Sequence, residues 1–303
     1  MPGVRFAPSP TGTFHIGNLR TAWISREWAR RLNLPWVVRF ENIDAPRNAP
    51  GARESQTGDM ARLGLVADVQ SLQSDRAERH WETFLKFREA GLVYPCDCSR
   101  KEVREAVEGA ASAPHGPVAA YSGRCRDRDV SKEPLKTDLP SLAWRIRFRE
   151  DGGHEDFVVA RSGTAVNAAG IPERATFVPA YHWACAVDDH DGRYDLLVRA
   201  WDLEPAAAQQ RLIMKCLALL EKKEAKPPAV FHASLVTAND GSRLEKRTLG
   251  VSLKELLAKG ETPEALIAKF QASFTGDWKA FQPEKVFGET QKTMTLHDLS
   301  LRL

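Results

Sequence analysis

Short apolar runs alternate along this chain with longer segments whose apolar residues recur every three or four positions. Residues 4–7 predict a short buried strand with one charge inside it, and residues 36–40 predict a second strand. Between them, from His15 onward, the apolar spacing is helical. This succession of strand, loop and helix is typical of α/β proteins.

The same pattern predicts further elements. The predicted helices lie at residues 51–64, 76–90 and 209–220, with two short capped helices starting near residues 252 and 262. The predicted strands lie at residues 92–94, 142–148, 157–160, 195–199 and 231–236, the last of which closes the sheet. Residues 181–190 predict an apolar helix or strand that ends in a charged turn.

Composition narrows the class of protein. The chain has 303 residues, which is long enough for two domains or for one large domain with an insertion. Its formal charge of +3 is too small to indicate nucleic-acid binding. No apolar run approaches the roughly 20 residues of a membrane span. Five cysteines without framework spacing favour the reduced cytoplasm.

The loop between the first strand and the first helix is a candidate binding site. Pro8 and Pro10 cannot extend a central strand, and Gly12 permits a tight turn. The N-terminus of the following helix offers unpaired N–H groups that suit a phosphate, and His15 and Asn18 add side-chain donors. The alternative is an ordinary junction that binds nothing.

Charged side chains also end later strands. Glu41 and Asp44 follow the second strand, where carboxylates can meet a substrate amine or hydroxyl, or can simply cap a helix and be solvated. Arg199 ends a buried strand, where its charge is costly unless an anion such as a carboxylate pairs with it. Residues 142–148 alternate apolar and charged residues, which predicts a half-exposed strand with a basic face for phosphate contacts or for solvent.

Three cysteines predict a small zinc site. Cys96, Cys98 and Cys125 can supply three thiolates, and a fourth ligand is needed. His115 and the phenol of Tyr121 are both close enough in sequence to be that ligand. The alternative is that the thiols are merely buried.

Three motifs resemble one enzyme family. Residues 5–18, Arg-Phe-Ala-Pro-Ser-Pro-Thr-Gly-x-x-His-Ile-Gly-Asn, resemble the first signature of the class I glutamyl-tRNA synthetases. The Cys-x-Cys and Tyr-x-x-x-Cys pair is similar to that of the glutamyl-queuosine tRNA(Asp) synthetases, their short paralogues. Residues 243–247, Arg-Leu-Glu-Lys-Arg, resemble a degenerate second signature, Lys-Met-Ser-Lys-Ser, although a capping box of Ser242 and Glu245 also explains them.

The resemblance implies a doubly wound, Rossmann-like α/β fold. The catalytic domain would comprise residues 1–95 and 176–250, split by an inserted zinc-bearing lobe at residues 96–175. Residues 251–303 would form a short helical C-terminal extension, with no room for the anticodon-binding domain of a full-length glutamyl-tRNA synthetase.

The resemblance also implies an activity. Such an enzyme uses ATP with Mg²⁺ to convert L-glutamate into glutamyl adenylate, and passes the glutamyl group to queuosine in the anticodon of tRNA(Asp). We expect a cytoplasmic monomer that binds Zn²⁺ and no membrane. The resemblance assigns glutamate binding to Arg5, Phe6, Ala7, Pro8, Ser9, Glu41, Tyr181 and Arg199. It assigns ATP binding and catalysis to His15, Asn18 and Lys246, and zinc to Cys96, Cys98, Tyr121 and Cys125.

Some residues depart from the family pattern. Asn42 and Ile43 replace the commoner residues after Glu41, and Ala200-Trp201 replaces a glycine and a small residue. Glu245 brings a carboxylate near the phosphates. These departures keep two other functions open, namely a related adenylating ligase with a different acceptor and a non-catalytic binding module.

Overall fold

The structure is a computed structural model that describes residues 3–99, 101–103, 121–130, 132–150, 153–154, 156–167, 170–242, 244 and 251–301. The chain forms two units. The first contains Met1–Arg76, Asp188–Lys215 and Ala225–Leu303, and the second contains Ala77–Val187 and Cys216–Glu224.

Strands and helices alternate through most of the sequence. The strands are β1 Val4–Phe6, β2 Trp36–Phe40, β3 Val69–Leu72, β4 Val93–Cys96, β5 Leu142–Ile146, β6 Arg149–Glu150, β7 Gly153–His154, β8 Val158–Ser162, β9 Val178–Pro179, β10 Leu196–Ala200, β11 Ala229–Ala233, β12 Leu235–Thr237, β13 Val286–Gly288 and β14 Thr293–Thr295. The helices are α1 Ile16–Leu32, α2 Ala52–Arg62, α3 Ala77–Glu89, α4 Tyr181–Gly192, α5 Ala206–Leu220, α6 Leu253–Ala258 and α7 Pro263–Ala272.

A parallel sheet with the strand order β13-β11-β10-β1-β2-β3 organises the first unit. Every residue of β2 and β11 is buried, as expected for a sheet that helices cover on both faces. The chain runs outward from β1 to β3 and then returns to β10 on the other side of β1. The strand order therefore reverses between β1 and β10. This is the topological switch point of a doubly wound sheet, where ligands bind beyond the carboxyl ends of the strands.

The second unit contains an antiparallel sheet in the order β4-β5-β8-β9. Aromatic rings join α3 and α4 to this unit. The Phe84 ring lies 5.0 Å from that of Trp144 and 4.8 Å from that of Phe177, and the Phe87 ring lies 4.8 Å from that of Trp183. The units divide at residues 76/77, 187/188, 215/216 and 224/225, whereas the sequence predicted an insertion over residues 96–175.

The C-terminal prediction needs two corrections. The predicted strand 231–236 is divided at Ser234, because the Ser234 N–H donates to Glu289 Oε2 and its hydroxyl donates to the carbonyl of Gln291. Residues 251–303 are not purely helical, since β13 extends the main sheet next to β11 and β14 pairs with β12. The predicted short helices near residues 252 and 262 are present as α6 and α7.

The predicted basic face at residues 142–148 is also wrong. All five residues of β5 are buried, and the Arg145 guanidinium lies 3.8 Å from the centre of the Tyr121 ring. Arg147 pairs with Asp127 at 3.0 Å. The alternating pattern was misleading because Arg145 packs on an aromatic ring, which a cation does favourably when desolvated.

An ion pair between Arg20 and Glu289 fastens the C-terminal segment to α1. Both side chains are almost completely buried, and the two guanidinium–carboxylate bonds are 2.6 Å long. Glu289 also accepts hydrogen bonds from the N–H groups of Ser234 and Thr275, at 2.8 and 3.0 Å. Burial alone would raise the pKa of Glu289, but the hydrogen bond and charge of Arg20 outweigh burial, so this pKa lies below its usual value.

Within the described residues, no helix combines the length and the apolar character that crossing a bilayer requires.

We expect Glu289→Gln to lower the free energy of unfolding by about 3 kcal/mol, because it leaves the buried guanidinium of Arg20 without a counter-charge. Urea denaturation followed by circular dichroism measures this change. Glu82→Gln, on the exposed side of α3, is the control and should change stability by less than about 0.5 kcal/mol. Equal stabilities of the two variants would contradict the role of the pair.

The difference between wild type and Glu289→Gln should also depend on pH. A carboxylate whose folded pKa lies below its ordinary value of 4.5 adds stability above that value and loses it as pH falls through the folded pKa. The stability gap should therefore shrink when the pH is lowered below about 4.5. A gap that stays constant down to pH 2 would argue against this linkage.

Candidate active site and metal centre

The loop of the first signature follows β1 at the carboxyl edge of the parallel sheet. Phe6 and Pro8 are buried, so a contribution from them to binding would come through the backbone. The Pro8 carbonyl accepts from the N–H of Glu41, at 2.9 Å, and the Pro10 carbonyl accepts from the N–H of Ala49, at 3.0 Å. The loop is thus tied to the residues that follow β2.

His15 and Asn18 cap the start of α1. Nδ1 of His15 accepts from the Gly17 N–H at 3.1 Å, and the side-chain oxygen of Asn18 accepts from the His15 N–H at 3.2 Å. Since Nδ1 is an acceptor, this hydrogen bond assigns the proton of the neutral imidazole to Nε2. The Asn18 amide likewise retains its NH₂ group for other acceptors.

Gly17 is required at this position by close packing. A Cβ atom there would lie 3.0 Å from Cβ of Val236 and 3.1 Å from the His15 ring. The absence of a side chain lets α1 begin directly against β12 and leaves room for the imidazole.

The chain that follows the second signature reaches the start of α1. The Ile16 N–H donates to the carbonyl of Val251 at 2.9 Å, and His15 forms an isolated antiparallel bridge with Ser252. Residue 243 and residues 245–250, including Lys246, lie outside the described residues. The described neighbours on the C-terminal side are therefore bonded to the helix that begins with the first signature.

Asp189 lies between two arginines in the interior of the first unit. Arg5 reaches its carboxylate through Nε and Nη2, at 3.2 and 2.7 Å, and Arg39 reaches it through Nη1 at 2.6 Å. Arg39 Nη2 also donates to Glu41 at 3.1 Å. Burial opposes ionisation of Asp189, but the charges of Arg39 and Arg5 outweigh it and hold its pKa below the ordinary value.

Asp189 is not among the site residues predicted from the sequence. The pattern of residues 181–190 predicted a charged turn at this point, whereas Asp188 and Asp189 lie inside α4, which continues to Gly192. The signal was two successive aspartates directly after an apolar segment, where two carboxylates can be buried only if they are paired.

Asn42, one of the departures from the family pattern, has a structural role. Its side-chain amide exchanges two hydrogen bonds of 2.9 Å with Ser74. The backbone carbonyl of Asn42 accepts from the Asn48 side-chain amide at 2.7 Å. These bonds hold the loop after Glu41 against the loop after β3.

Arg199 ends β10 on the opposite side of the switch point from Glu41. It is buried, and its Nη1 donates to the side-chain oxygen of Gln210 at 2.7 Å. Tyr181 begins α4 and belongs to the second unit. The structure thus brings Arg5, Ser9, Glu41 and Arg199 to neighbouring strands of one sheet.

His232 pairs in register with Arg199 across β10 and β11. Its ring stacks on that of Trp201, with centroids 4.9 Å apart and planes inclined by 23°. Burial, and then the charge of Arg199, lower the pKa of His232 to about 4, so the ring is neutral at pH 7. The bulky Trp201 therefore packs on a residue of the protein itself, and His232 is a further buried residue that the sequence motifs did not indicate.

The predicted zinc ligands lie together in the second unit. The three sulfur atoms of Cys96, Cys98 and Cys125 lie within 4.8 Å of one another, and the Tyr121 hydroxyl lies 3.4 Å from Cys96 Sγ and 4.0 Å from Cys98 Sγ. A tetrahedral zinc site with ~2.3 Å bonds spaces its sulfur atoms about 3.8 Å apart. The donor set therefore fits zinc.

Charged residues surround this cysteine cluster. Hydrogen bonds from the thiols of Cys125 and Cys98 hold the pKa of Cys96 below its ordinary value. Asp97 lies 3.6 Å from Cys125 Sγ and is held by Arg128 at 2.7 Å. His115, the alternative fourth ligand, lies outside the described residues.

Comparison with known proteins identifies the family of this chain. Residues 3–295 match the family described as tRNA synthetases class I (E and Q), catalytic domain. The chain is 36% identical over 267 residues to the glutamyl-Q tRNA(Asp) synthetase of Nocardia farcinica, covering 87% of this chain and 82% of that protein. The chain belongs to the class I tRNA synthetases, among the glutamyl-Q tRNA(Asp) synthetases.

Other members and a solved structure are similar to this synthetase. The glutamyl-Q tRNA(Asp) synthetase of Burkholderia cenocepacia is 32% identical over 299 residues, which are 90% of this chain and 95% of that protein. A crystal structure of the glutamate-tRNA synthetase from Elizabethkingia anophelis matches with a TM-score of 0.66 at 20% identity. That match covers 89% of this chain and 61% of the larger protein, and supports the fold.

We expect the His232 ring to titrate near pH 4 in the folded synthetase, because the charged ring would be buried beside Arg199. Two-dimensional NMR of the imidazole signals measures this midpoint, and His232→Gln identifies the signal by its loss. Since the unfolded chain takes up the proton near pH 6.5, His232 should cost stability as pH falls from about 6.5 to 4. A midpoint near 6.5 would contradict the predicted burial of the neutral ring.

Proposed function

We propose that this chain activates L-glutamate with ATP and transfers the glutamyl group to queuosine in the anticodon of tRNA(Asp). The observation that carries the proposal is the arrangement at the switch point, where a loop with the first signature, a carboxylate and a buried arginine come from neighbouring parallel strands. The names of the homologous synthetases support the substrates. We infer that the protein acts as a monomer in the cytoplasm, where its tRNA is found.

The glutamate site is proposed to lie on both sides of the switch point. The buried guanidinium of Arg199 would bind a carboxylate of the substrate, and Glu41 would accept from its ammonium group. Asp189 would orient Arg5 and Arg39, and Arg39 would hold Glu41 in place. The Ser9 hydroxyl, the backbone of residues 6–8 and Tyr181 complete the set that the family resemblance assigns.

The ATP phosphates are proposed to lie at the start of α1. The proton on Nε2 of His15 and the amide of Asn18 are donors there, and the N-terminus of the helix adds its dipole. Lys246 would stabilise the departing pyrophosphate, and Mg²⁺ would enter with ATP. A carboxylate oxygen of glutamate attacks the α-phosphorus of ATP. The bond between the α-phosphorus and the oxygen that bridges to the β-phosphate breaks, and pyrophosphate leaves. In the second step the glutamyl group passes to queuosine and AMP leaves.

This mechanism needs no covalent enzyme nucleophile. The rate would come from positioning the two substrates and from charges arranged before the reaction begins. The buried ion pairs around Asp189 suit that purpose because they fix long arginine side chains that would otherwise be mobile.

Zinc is proposed to be a structural metal ion of the second unit. Cys96, Cys98, Cys125 and Tyr121 would hold it, joining the end of β4 to residues 121–125. Such a bound ion would stabilise this small cluster, and no step of the reaction depends on it.

The proposed function is tested by glutamate-dependent exchange of labelled pyrophosphate into ATP. Exchange with glutamate, followed by labelled glutamate appearing on queuosine-containing tRNA(Asp) and not on unmodified tRNA, is the expected result. Transfer to a different acceptor would indicate a related adenylating ligase. Absence of exchange with every amino acid, with and without tRNA, would indicate a non-catalytic binding module.

We expect Lys246→Ala to slow exchange by about a hundredfold, while the KM for glutamate changes by less than about twofold, because the lost charge acts on pyrophosphate. Lys254→Ala, an exposed lysine of α6, is the matched control and should behave like wild type. An unchanged exchange rate in Lys246→Ala would refute the role of this lysine.

We expect about one zinc ion per chain in the native protein. Inductively coupled plasma mass spectrometry should detect the loss of this zinc in Cys125→Ser, because three remaining donors bind it more weakly. Cys216→Ser, a half-buried cysteine of α5 outside the cluster, should retain it. Native protein without zinc would reduce the three cysteines to packing residues.

A further inference from the structure

Gln56 is a polar side chain at a position where an apolar one is expected. It lies in the middle of α2, one helical turn from Ala52 and Met60, and shares their buried face. Only 2% of Gln56 is exposed. Neither sequence motifs nor the proposed substrate sites use this residue.

The side-chain amide of Gln56 bonds to the loop of the first signature. Its Nε2 donates to the carbonyl of Ser9 at 3.1 Å and to the carbonyl of Gly12 at 2.8 Å. Because both partners are acceptors, the two bonds assign the NH₂ group to this side of the amide. Within the described part of the chain, Oε1 of Gln56 is buried and accepts no hydrogen bond.

Burying the Gln56 amide with an unpaired oxygen costs stability, so its presence here needs an explanation. A buried acceptor without a partner destabilises the protein, and a methionine of similar size would avoid that cost. The two hydrogen bonds that the amide donates to the loop offset this cost. They link the two ends of the turn that contains Pro10 and Thr11.

The other carbonyls of the loop are also bonded to the protein. The Pro8 and Pro10 carbonyls accept from the N–H groups of Glu41 and Ala49, and the Ser9 carbonyl also accepts from the Thr11 N–H at 2.8 Å. With the two bonds from Gln56, the carbonyls of residues 8, 9, 10 and 12 all have donors within the first unit.

We propose that Gln56 is a positioning residue that fixes the loop of residues 8–12 for an anionic substrate. This inference rests on the proposed function, in which Ser9 contacts glutamate. A backbone carbonyl that turned toward a carboxylate or a phosphate would repel it. By holding the carbonyls of Ser9 and Gly12, Gln56 keeps these dipoles engaged and sets the direction of the Ser9 side chain.

Two substitutions of similar size test the proposal. Gln56→Met removes the donors and the unsatisfied acceptor, so the variant should fold with a melting temperature close to that of wild type. Gln56→Glu replaces the donors with a carboxylate that faces two carbonyls. Gln70→Met makes the same chemical change at an exposed position of β3 and is the matched control.

Pyrophosphate exchange should separate binding from catalysis. We expect Gln56→Met to raise the KM for glutamate about tenfold with kcat within about threefold of wild type, because a mobile loop binds the substrate less well. Gln56→Glu should raise that KM further, and Gln70→Met should not change it. A wild-type KM for glutamate in Gln56→Met would overturn the proposal. A lower melting temperature of Gln56→Met with unchanged KM and kcat would also overturn it, because a merely structural role would give that result.

Hydrogen–deuterium exchange tests the same role without any activity. The backbone amides of Thr11, Glu41 and Ala49 should exchange faster in Gln56→Met, while those of α2 should not. If wild type fails to activate glutamate but these amides still respond, the proposed function fails and the positioning role of Gln56 stands. If wild type is active and the amides do not respond, the positioning role fails alone.

Discussion

Asp189 holds the centre of the first unit together. Its carboxylate is completely buried and receives three hydrogen bonds, two from Arg5 on β1 and one from Arg39 on β2. Burying one negative and two positive groups is costly, and the cost is tolerable only because every partner is held in place. These three side chains therefore fix β1 and β2 relative to each other and to the helix that carries Asp189, and Glu41 is fixed in turn through Arg39.

The Arg20–Glu289 pair extends the same logic to the end of the chain. Glu289 bonds to α1, to the residue that separates β11 from β12, and to Thr275. The C-terminal segment is thus part of the first unit and continues its sheet. The buried ion pairs of Asp189 and of Glu289 thus connect segments that are far apart in the sequence.

Sequence reasoning was successful where chemistry is local. The strand–loop–helix of the first signature and the convergence of three cysteines follow from residues that are close in sequence, whereas the cap that His15 and Asn18 form on α1 was not predicted. It failed where the outcome depends on distant partners. Arg5 and Asp189 are separated by 184 positions, and the buried Arg145 packs on the Tyr121 ring and donates to the Asp156 carbonyl. Gln56 was missed for the same reason, since the two acceptors of its side-chain amide are carbonyls of a loop over forty residues away.

The start of α1 is bonded to the segment that leads into α6, through the Ile16 N–H and the Val251 carbonyl and through the bridge between His15 and Ser252. Val251 and Leu253, on either side of Ser252, are buried in the core of the first unit. The backbone of His15 is therefore fixed from outside its own helix, and a displacement of residues 251–252 would move the imidazole with it.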